Sequence, residues 1–298
     1  MTAFPYLGQL FSLLAAAGWA VAVVLFKKSG ETVHPLALNL FKTALAVALL
    51  VPTLWLWGGE ILRSVPKSDY VLLLLSGVLG IGISDTLFFM CLNALGAGLT
   101  AIVDTLYSPF IIGLSMLWLG ERLTVWQVSG VVLIISAVVA ATYDPGNRNA
   151  PEKRRLLAGL LYGVLALLLV AVGIVMIKPL LNRSPVLWAT EVRLIGGLFF
   201  LITFVWGHPR RRLILTTLRA PGSWRFVISG SLMGSYVAMV FWIAGMKLAP
   251  ASVAAALNQT STIFIYILAV LFLREPLTFR RTVGVFLAVA GSLLVTFG

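Results

Sequence analysis

Long apolar runs separated by short polar connections dominate the chain. A helix crossing the roughly 30 Å hydrocarbon layer needs about 20 apolar residues. Runs of that order lie at 7–27, 35–57, 70–91, 97–119, 124–143, 156–178, 185–206, 224–246, 250–273 and 279–297. The pattern predicts an all-α integral membrane protein with ten transmembrane helices. The stretch richest in proline, glycine, asparagine and charge, "YDPGNRNAPEKRR" at 143–155, falls at the midpoint. It divides the chain into a first half at 1–146, a linker at 147–155 and a second half at 156–298.

The two halves repeat. "LGERLTVWQVSGVVLIISAVV" (119–139) aligns with "LREPLTFRRTVGVFLAVAGSL" (273–293), so that Glu121 meets Glu275, Thr124 meets Thr278 and Gly130 meets Gly284 at an offset of 154. The same offset sets Asp104 on Asn258, Ser108 on Thr262 and Phe110 on Phe264. Five is an odd number, so a second five-helix unit must enter the membrane upside down relative to the first. Two inverted five-helix repeats are the architecture in which alternating-access carriers build a midplane site between their halves. Thr124 with Gln127 three residues on reads as a capping box, and Glu121 and Glu275 beside these caps read as structural residues at the membrane edge.

Composition agrees with a membrane protein. Only 11% of the 298 residues are charged and 60% are hydrophobic, with a mean hydropathy of +1.03, whereas soluble domains carry roughly 25% charge. The net charge of +12 sits in short tracts between apolar runs ("PEKRR", "HPRRRL", "FRR"), which fits positive-inside anchoring and argues against nucleic acid as a partner. Loops and span ends on one face hold 14 Lys and Arg against 6 on the other. The charge rule then sets both termini outside and the central linker in the cytoplasm. One cysteine, Cys91, excludes an internal disulfide and a multi-cysteine metal site. The two histidines precede prolines (His34-Pro35, His208-Pro209), where backbone is biased to extended conformations, so both mark segment boundaries. No basic region or small-residue cleavage site precedes the first apolar run, which reads as a retained span.

Five ionisable residues lie well inside the spans: Lys42, Asp85, Asp104, Glu191 and Arg193. Each costs about 2.5–3.5 kcal/mol at a helix centre, so together they must turn inward, toward one another or toward water. In "TAIVDTLYSPF" (100–110), Asp104, Tyr107 and Ser108 share one helical face, repeated by Asn258, Ser261 and Thr262. Pro109 is expected to leave the Thr105 carbonyl without its helical donor and to bend the helix. Loosened backbone at membrane depth is tolerated where it lines a cavity. These residues read as one wall of a polar pocket, with Asp104 pairing structurally to Lys42 or Arg193 as the alternative. Asn39 shares a face with Lys42, and Trp188 with Glu191. Glu191 and Arg193 are two apart, cannot face each other, and each needs a partner on another helix. Lys42 and Arg193 suit a substrate carboxylate or phosphate, and Asp85 and Asp104 are the proton-carrying candidates. Trp55, Trp57, Trp118, Trp206 and Trp224 near span ends read as an interfacial belt.

The chain resembles the EamA-type members of the drug/metabolite transporter superfamily. "AAAGWAVAVVLFKK", "HPLALNLFKTALA" and "YSPFIIGLSMLWLGERLT" carry the resemblance together with the order of ten spans, and it covers essentially the whole chain. Lys42 stands where family members often have an arginine that the second half keeps as Arg193, and Ile263 stands where Pro109 would repeat. The resemblance implies secondary transport of a small organic metabolite, without ATPase, catalysis or cofactor, in a bacterial inner membrane. It also implies cytoplasmic termini, opposite to the charge tally. The combined reading is a carrier exporting an amino acid-like or other amphipathic solute, with Lys42, Asp104, Tyr107, Ser108, Trp188, Glu191, Arg193, Asn258 and Thr262 lining its site. Rival readings are a flippase for a lipid-linked substrate and a membrane protein that transports nothing.

Overall fold

The computed structural model describes residues 6–56, 62–119, 124–142, 150–181, 183–219, 222–249, 254 and 257–297. Regular structure among them is helical. Among the described residues, nine helices are long and apolar enough to cross a membrane: Leu7–Ser29, Pro35–Leu56, Lys67–Leu95, Ala97–Trp118, Val125–Thr142, Glu152–Leu181, Val186–Gly207, Ser223–Gly245 and Phe279–Phe297. A shorter apolar helix over Leu257–Leu273 takes the ninth place in a row of ten spans. The ten apolar runs of the sequence are therefore ten helices. Glu121, Trp57 and residues 143–149 of the central polar stretch lie outside the described residues. Trp55, Trp118, Trp206 and Trp224 are exposed near span ends, as an interfacial belt requires.

Two connections are more ordered than hydropathy suggests. The sixth helix begins at Ala150, ahead of its apolar run. Glu152 in its first turn complements the positive helix end, and the basic residues that follow are good helix formers. Between the seventh and eighth spans, Arg211–Thr216 forms a short helix. The Arg211 guanidinium donates to the Trp206 carbonyl at 2.9 Å and covers the Trp206 ring at 5.5 Å, which folds this basic loop onto the span end.

The halves interlock. The first span packs along the eighth and ninth, and the sixth packs along the third and fourth, so each half inserts its first helix into the other. Small residues make these approaches possible. A Cβ at Gly8 would lie 2.6 Å from the Leu248–Ala249 backbone, and one at Gly163 would lie 2.7 Å from Val103. The fifth and tenth spans pair in the same reciprocal way: a Cβ at Gly130 would meet the Gly291 carbonyl at 2.6 Å, and one at Gly291 would meet the Gly130 carbonyl at 2.7 Å. Lipid gives little hydrophobic drive between helices, so close van der Waals contact of this kind supplies the association.

The third and eighth spans each contain a π-helical turn, Val78–Ile83 and Leu232–Val237, separated by the same offset of 154 that relates the repeats. A π turn widens the helix and leaves carbonyls poorly matched. Asn39 of the second span answers them: its Nδ2 lies 2.8 Å from the Ile81 carbonyl, 3.1 Å from that of Gly82 and 3.0 Å from Thr86 Oγ1.

The fourth span breaks between Asp104 and Tyr107, and the ninth breaks at Thr260. The predicted cause needs correcting. The Thr105 carbonyl is satisfied, accepting the Ser108 N–H at 3.2 Å, and the ninth span breaks with no proline present. What the two breaks share is a threonine whose hydroxyl donates to the carbonyl three residues back: Thr105 to Ile102 at 2.7 Å and Thr260 to Leu257 at 2.5 Å. Side-chain hydroxyls that compete for backbone acceptors bend or interrupt helices.

Caps at the membrane edge hold as expected, with one change of address. Thr124 and Gln127 form a reciprocal capping box, N–H to side chain at 3.1 and 3.2 Å. Glu275 caps a helix of the other half: its carboxylate accepts the Ala97 N–H at 2.6 Å and the Gly98 N–H at 3.1 Å, with Arg281 at 3.7 Å. Glu275→Ala leaves two helix-terminal donors unanswered and is expected to cost about 1–3 kcal/mol, read as a fall in melting temperature. Glu275→Gln, which keeps an acceptor, should lose less.

Both histidines cap their own boundaries: His34 Nδ1 accepts the Leu36 N–H at 3.2 Å and His208 Nδ1 the Arg210 N–H at 3.0 Å. Partial desolvation, then the neighbouring His208, lowers the His34 pKa below its ordinary 6.5. The folded state thus favours neutral His34, so this stability is complete above pH 6.5 and declines as pH falls through the lower folded value. The residue is exposed, which keeps the effect small. Melting temperature should drop slightly more between pH 7.5 and 5.5 in wild type than in His34→Asn.

Candidate functional site

The break in the fourth span sets Asp104 at the end of one half-helix and Tyr107 and Ser108 at the start of the next. Across from it, the ninth-span break presents Asn258 and Gln259. The two breaks touch: Gln259 Nε2 donates to Ser108 Oγ at 3.1 Å. The halves therefore meet, side chain to side chain, at the level where both helices are interrupted. Gln259 was not among the residues singled out from the sequence, although it adjoins Asn258 in a polar "NQTST" stretch of an otherwise apolar run.

The second, third and seventh spans add charge to this region. Lys42 Nζ lies 2.6 Å from Asp85 Oδ2, with side chains 10% and 30% exposed, and the ammonium also sits over the Phe89 ring at 5.9 Å. Asp85 is Lys42's partner, which removes both the expectation that Lys42 offers a free positive charge to substrate and the alternative that it ties down Asp104. Asp104 makes no hydrogen bond or ion pair among the described residues. Its carboxyl is within electrostatic reach of Asp85, and Tyr107 lies within reach of both Asp104 and Arg193. Arg193 in turn feels Tyr107 and Asp85. Its Nη2 lies against the π turn, 3.2 Å from where a Cβ on Gly80 would stand, and its buried Nε has no hydrogen-bond partner.

Asp104, Tyr107 and Arg193 are deep in the protein, hemmed in by several helices. Each nonetheless keeps part of its surface uncovered. Asp85, Ser108, Asn258 and Gln259 are likewise partly open. Among the described residues, this region holds one carboxyl, Asp104, and one guanidinium, Arg193, without an ion pair, and Tyr107 lies within electrostatic reach of both.

Three further expectations change. Trp188 is 1% exposed, packed edge-on against Tyr70 at 5.4 Å with the Arg63 guanidinium at 5.7 Å, so it belongs to a packed core. Glu191 is also 1% exposed. Both its oxygens lack hydrogen-bond partners and it makes no ion pair among the described residues, so it does not pair with another helix there. Thr262 is 2% exposed and so is buried where Ser108, Asn258 and Gln259 are partly open. Sequence spacing correctly assigned these residues to inward helix faces, but an inward face includes both packed and open parts.

Comparison with known proteins bears on what this arrangement is for. The model of the EamA-like transporter family matches the chain twice, over residues 6–143 and 157–297. An uncharacterised transporter of Archaeoglobus fulgidus is 24% identical over 289 residues, covering 96% of each chain. The uncharacterised transporter YvbV of Bacillus subtilis is 28% identical over 236 residues, covering 77% of this chain and 72% of its own. A solved crystal structure superposes with a TM-score of 0.68 at 18% identity over 96% of this chain and 95% of that one, which shows a common fold. Matched along nearly its whole length by two copies of one family unit, the protein is a multi-pass membrane transporter and not an enzyme, and it belongs to the EamA-like transporter family.

Proposed function

We propose that the protein is a secondary active carrier that exports a small zwitterionic, amino acid-like solute across a bacterial inner membrane by alternating access. One observation carries this reading: Lys42 and Asp85 pair with each other, while Asp104 and Arg193 make no ion pair among the described residues and both lie within electrostatic reach of Tyr107 and Asp85. A solute carrying both an ammonium and a carboxylate matches that pair, with Tyr107, Ser108, Asn258 and Gln259 as hydrogen-bonding groups around it. A charge pair left open inside a membrane protein is costly, and a ligand that completes it recovers that cost. The π turns of the third and eighth spans and the breaks of the fourth and ninth are the places where each half can bend against the other.

Protons are the coupling ion in this reading. Asp104 is the better carrier than Asp85, because its carboxyl has no competing cation. Transport by Asp85→Asn and Asp104→Asn, measured in proteoliposomes across a pH gradient, tests the coupling; unchanged pH dependence in both variants would end it. The substrate class is tested by thermal shift of the purified protein. A ligand at 100 times its dissociation constant stabilises the folded state by about 2.7 kcal/mol. Zwitterionic amino acids should raise the melting temperature, and the same compounds with an esterified carboxylate or acylated amine should not. Equal stabilisation by simple monoanions would overturn the assignment.

A further inference from the structure

A second site lies at the ends of the helices, remote from the mid-span charges. A cleft of about 870 Å³ opens where the first, third, fourth, fifth, sixth and tenth spans end on one face. Lys27, Arg155, Arg280 and Arg281 line it against two carboxylates, Glu152 and Glu275. Glu275 is already engaged, accepting from Ala97 and Gly98 and facing Arg281. Glu152 makes no ion pair among the described residues.

Two of the cations are held in an unusual way. Lys27 Nζ lies 3.2 Å and Arg155 Nη2 2.9 Å from the same acceptor, the carbonyl oxygen of Asn93. Their charged nitrogens are therefore at most about 6 Å apart and meet on a neutral oxygen; Lys27 is attracted by the Glu275 carboxylate and repelled by Arg155. A backbone carbonyl offers only partial negative charge, whereas a phosphate oxygen between them would offer a full one and two charge-assisted hydrogen bonds. The cleft also has an apolar side, with Leu99, Leu156 and Phe279, and Phe279 is 83% exposed beside Leu277 at 68%. A free anion has no use for such a wall. A lipid has, because its headgroup phosphate can reach the cations while its glycerol and first methylenes lie along the apolar residues. The face is also the basic one, and anionic lipids collect in basic pockets between membrane helices.

We propose that this cleft binds the headgroup phosphate of an anionic phospholipid, with Lys27 and Arg155 as its principal ligands. The bound lipid would tie together the ends of the first and sixth spans, which belong to different halves, at the turn after the third. The site is independent of the solute reading above, and its test does not use transport.

The full chain, purified in detergent with zwitterionic lipid, is titrated with phosphatidylglycerol and followed by thermal shift and native mass spectrometry. The expected result is a saturable rise in melting temperature and retained lipid adducts, with no such effect from phosphatidylcholine. Arg155→Gln, at an exposed helix start, should weaken the apparent affinity about fivefold, and Lys27→Gln with Arg155→Gln about 25-fold, at a rough cost per basic contact typical of anionic membranes. Arg219→Gln, an exposed basic residue outside the cleft, serves as a control that should bind lipid as wild type does. Phosphatidylglycerol binding that is unchanged in both cleft variants would overturn the proposal. An equal thermal shift from inorganic phosphate, with no lipid retained, would overturn the choice of lipid.

Discussion

Asp104→Asn is expected to remove most transport while leaving the protein at least as stable as wild type. The two halves of this expectation rest on the same fact. Asp104 has no hydrogen bond or ion pair among the described residues, so nothing in the fold depends on its charge. An aspartate at a span centre carries an insertion cost of about 2.5–3.5 kcal/mol, part of which the isosteric amide relieves. A residue kept for packing would show the opposite sign, a loss of stability on substitution. If the carboxylate holds a solute ammonium, losing one charge-assisted contact worth about 1.5–3 kcal/mol lowers substrate affinity roughly 10- to 150-fold. Arg193→Gln should lose transport on a similar scale through the carboxylate end of the solute, and its backbone contacts are retained. Lys42→Gln should behave differently: it strands the Asp85 carboxylate, whose partner it removes, so stability falls together with activity. Melting temperature and initial uptake rate, measured side by side for the three variants, separate these cases. Asp104→Asn that melts several degrees lower with normal uptake would refute the pocket.

Gly77→Val is expected to prevent accumulation of folded protein. A Cβ at Gly77 would overlap the backbone carbonyl of Arg193, and one at Gly196 would overlap the backbone of Leu74. Two such glycines facing each other across the third and seventh spans mean that the helix backbones themselves are in contact. Backbone cannot swing aside as a side chain can, so the helices must separate along this interface. Overpacking a well-fitted core costs about 1–3 kcal/mol and occasionally more, and here it also displaces the π turn and Arg193, which pack at the same crossing. Gly113→Ala and Gly207→Ala are the controls, since nothing stands within 4 Å of either position. Expression and monodispersity in detergent read the result. A Gly77→Val protein that elutes and melts like wild type would show that the third and seventh spans are not packed this closely.

Much of the fold is legible in the chain because lipid makes the rule simple. Backbone polar groups cannot be left open in hydrocarbon, so ten long apolar runs must be ten helices, and an odd number per repeat must invert the second copy. The repeat itself is visible in Thr124 and Thr278, and Gly130 and Gly284, at one offset. The capping box at Thr124 is a local signal of three residues and is found as read. Glu275 shows where such legibility stops. Its position at a helix edge announces a cap, but the helix it caps belongs to the other half, and no local pattern encodes that distance.

The site divides in the same way. That Lys42, Asp85, Asp104, Glu191 and Arg193 turn inward follows from the cost of charge in lipid, which depends on each residue and its depth alone. Which of them pair, which stay open and which are sealed in the core depends on where helices remote in sequence cross. Only the tertiary structure decides that, because Lys42 takes Asp85, Trp188 is covered by Tyr70, Glu191 is enclosed and Asp104 is left without an ion pair among the described residues, through contacts between helices set by backbone approach at a few glycines. The sequence by itself determined the spans, their inversion and the inward charges. The three-dimensional packing determined which of those charges pair and which stand without an ion pair among the described residues.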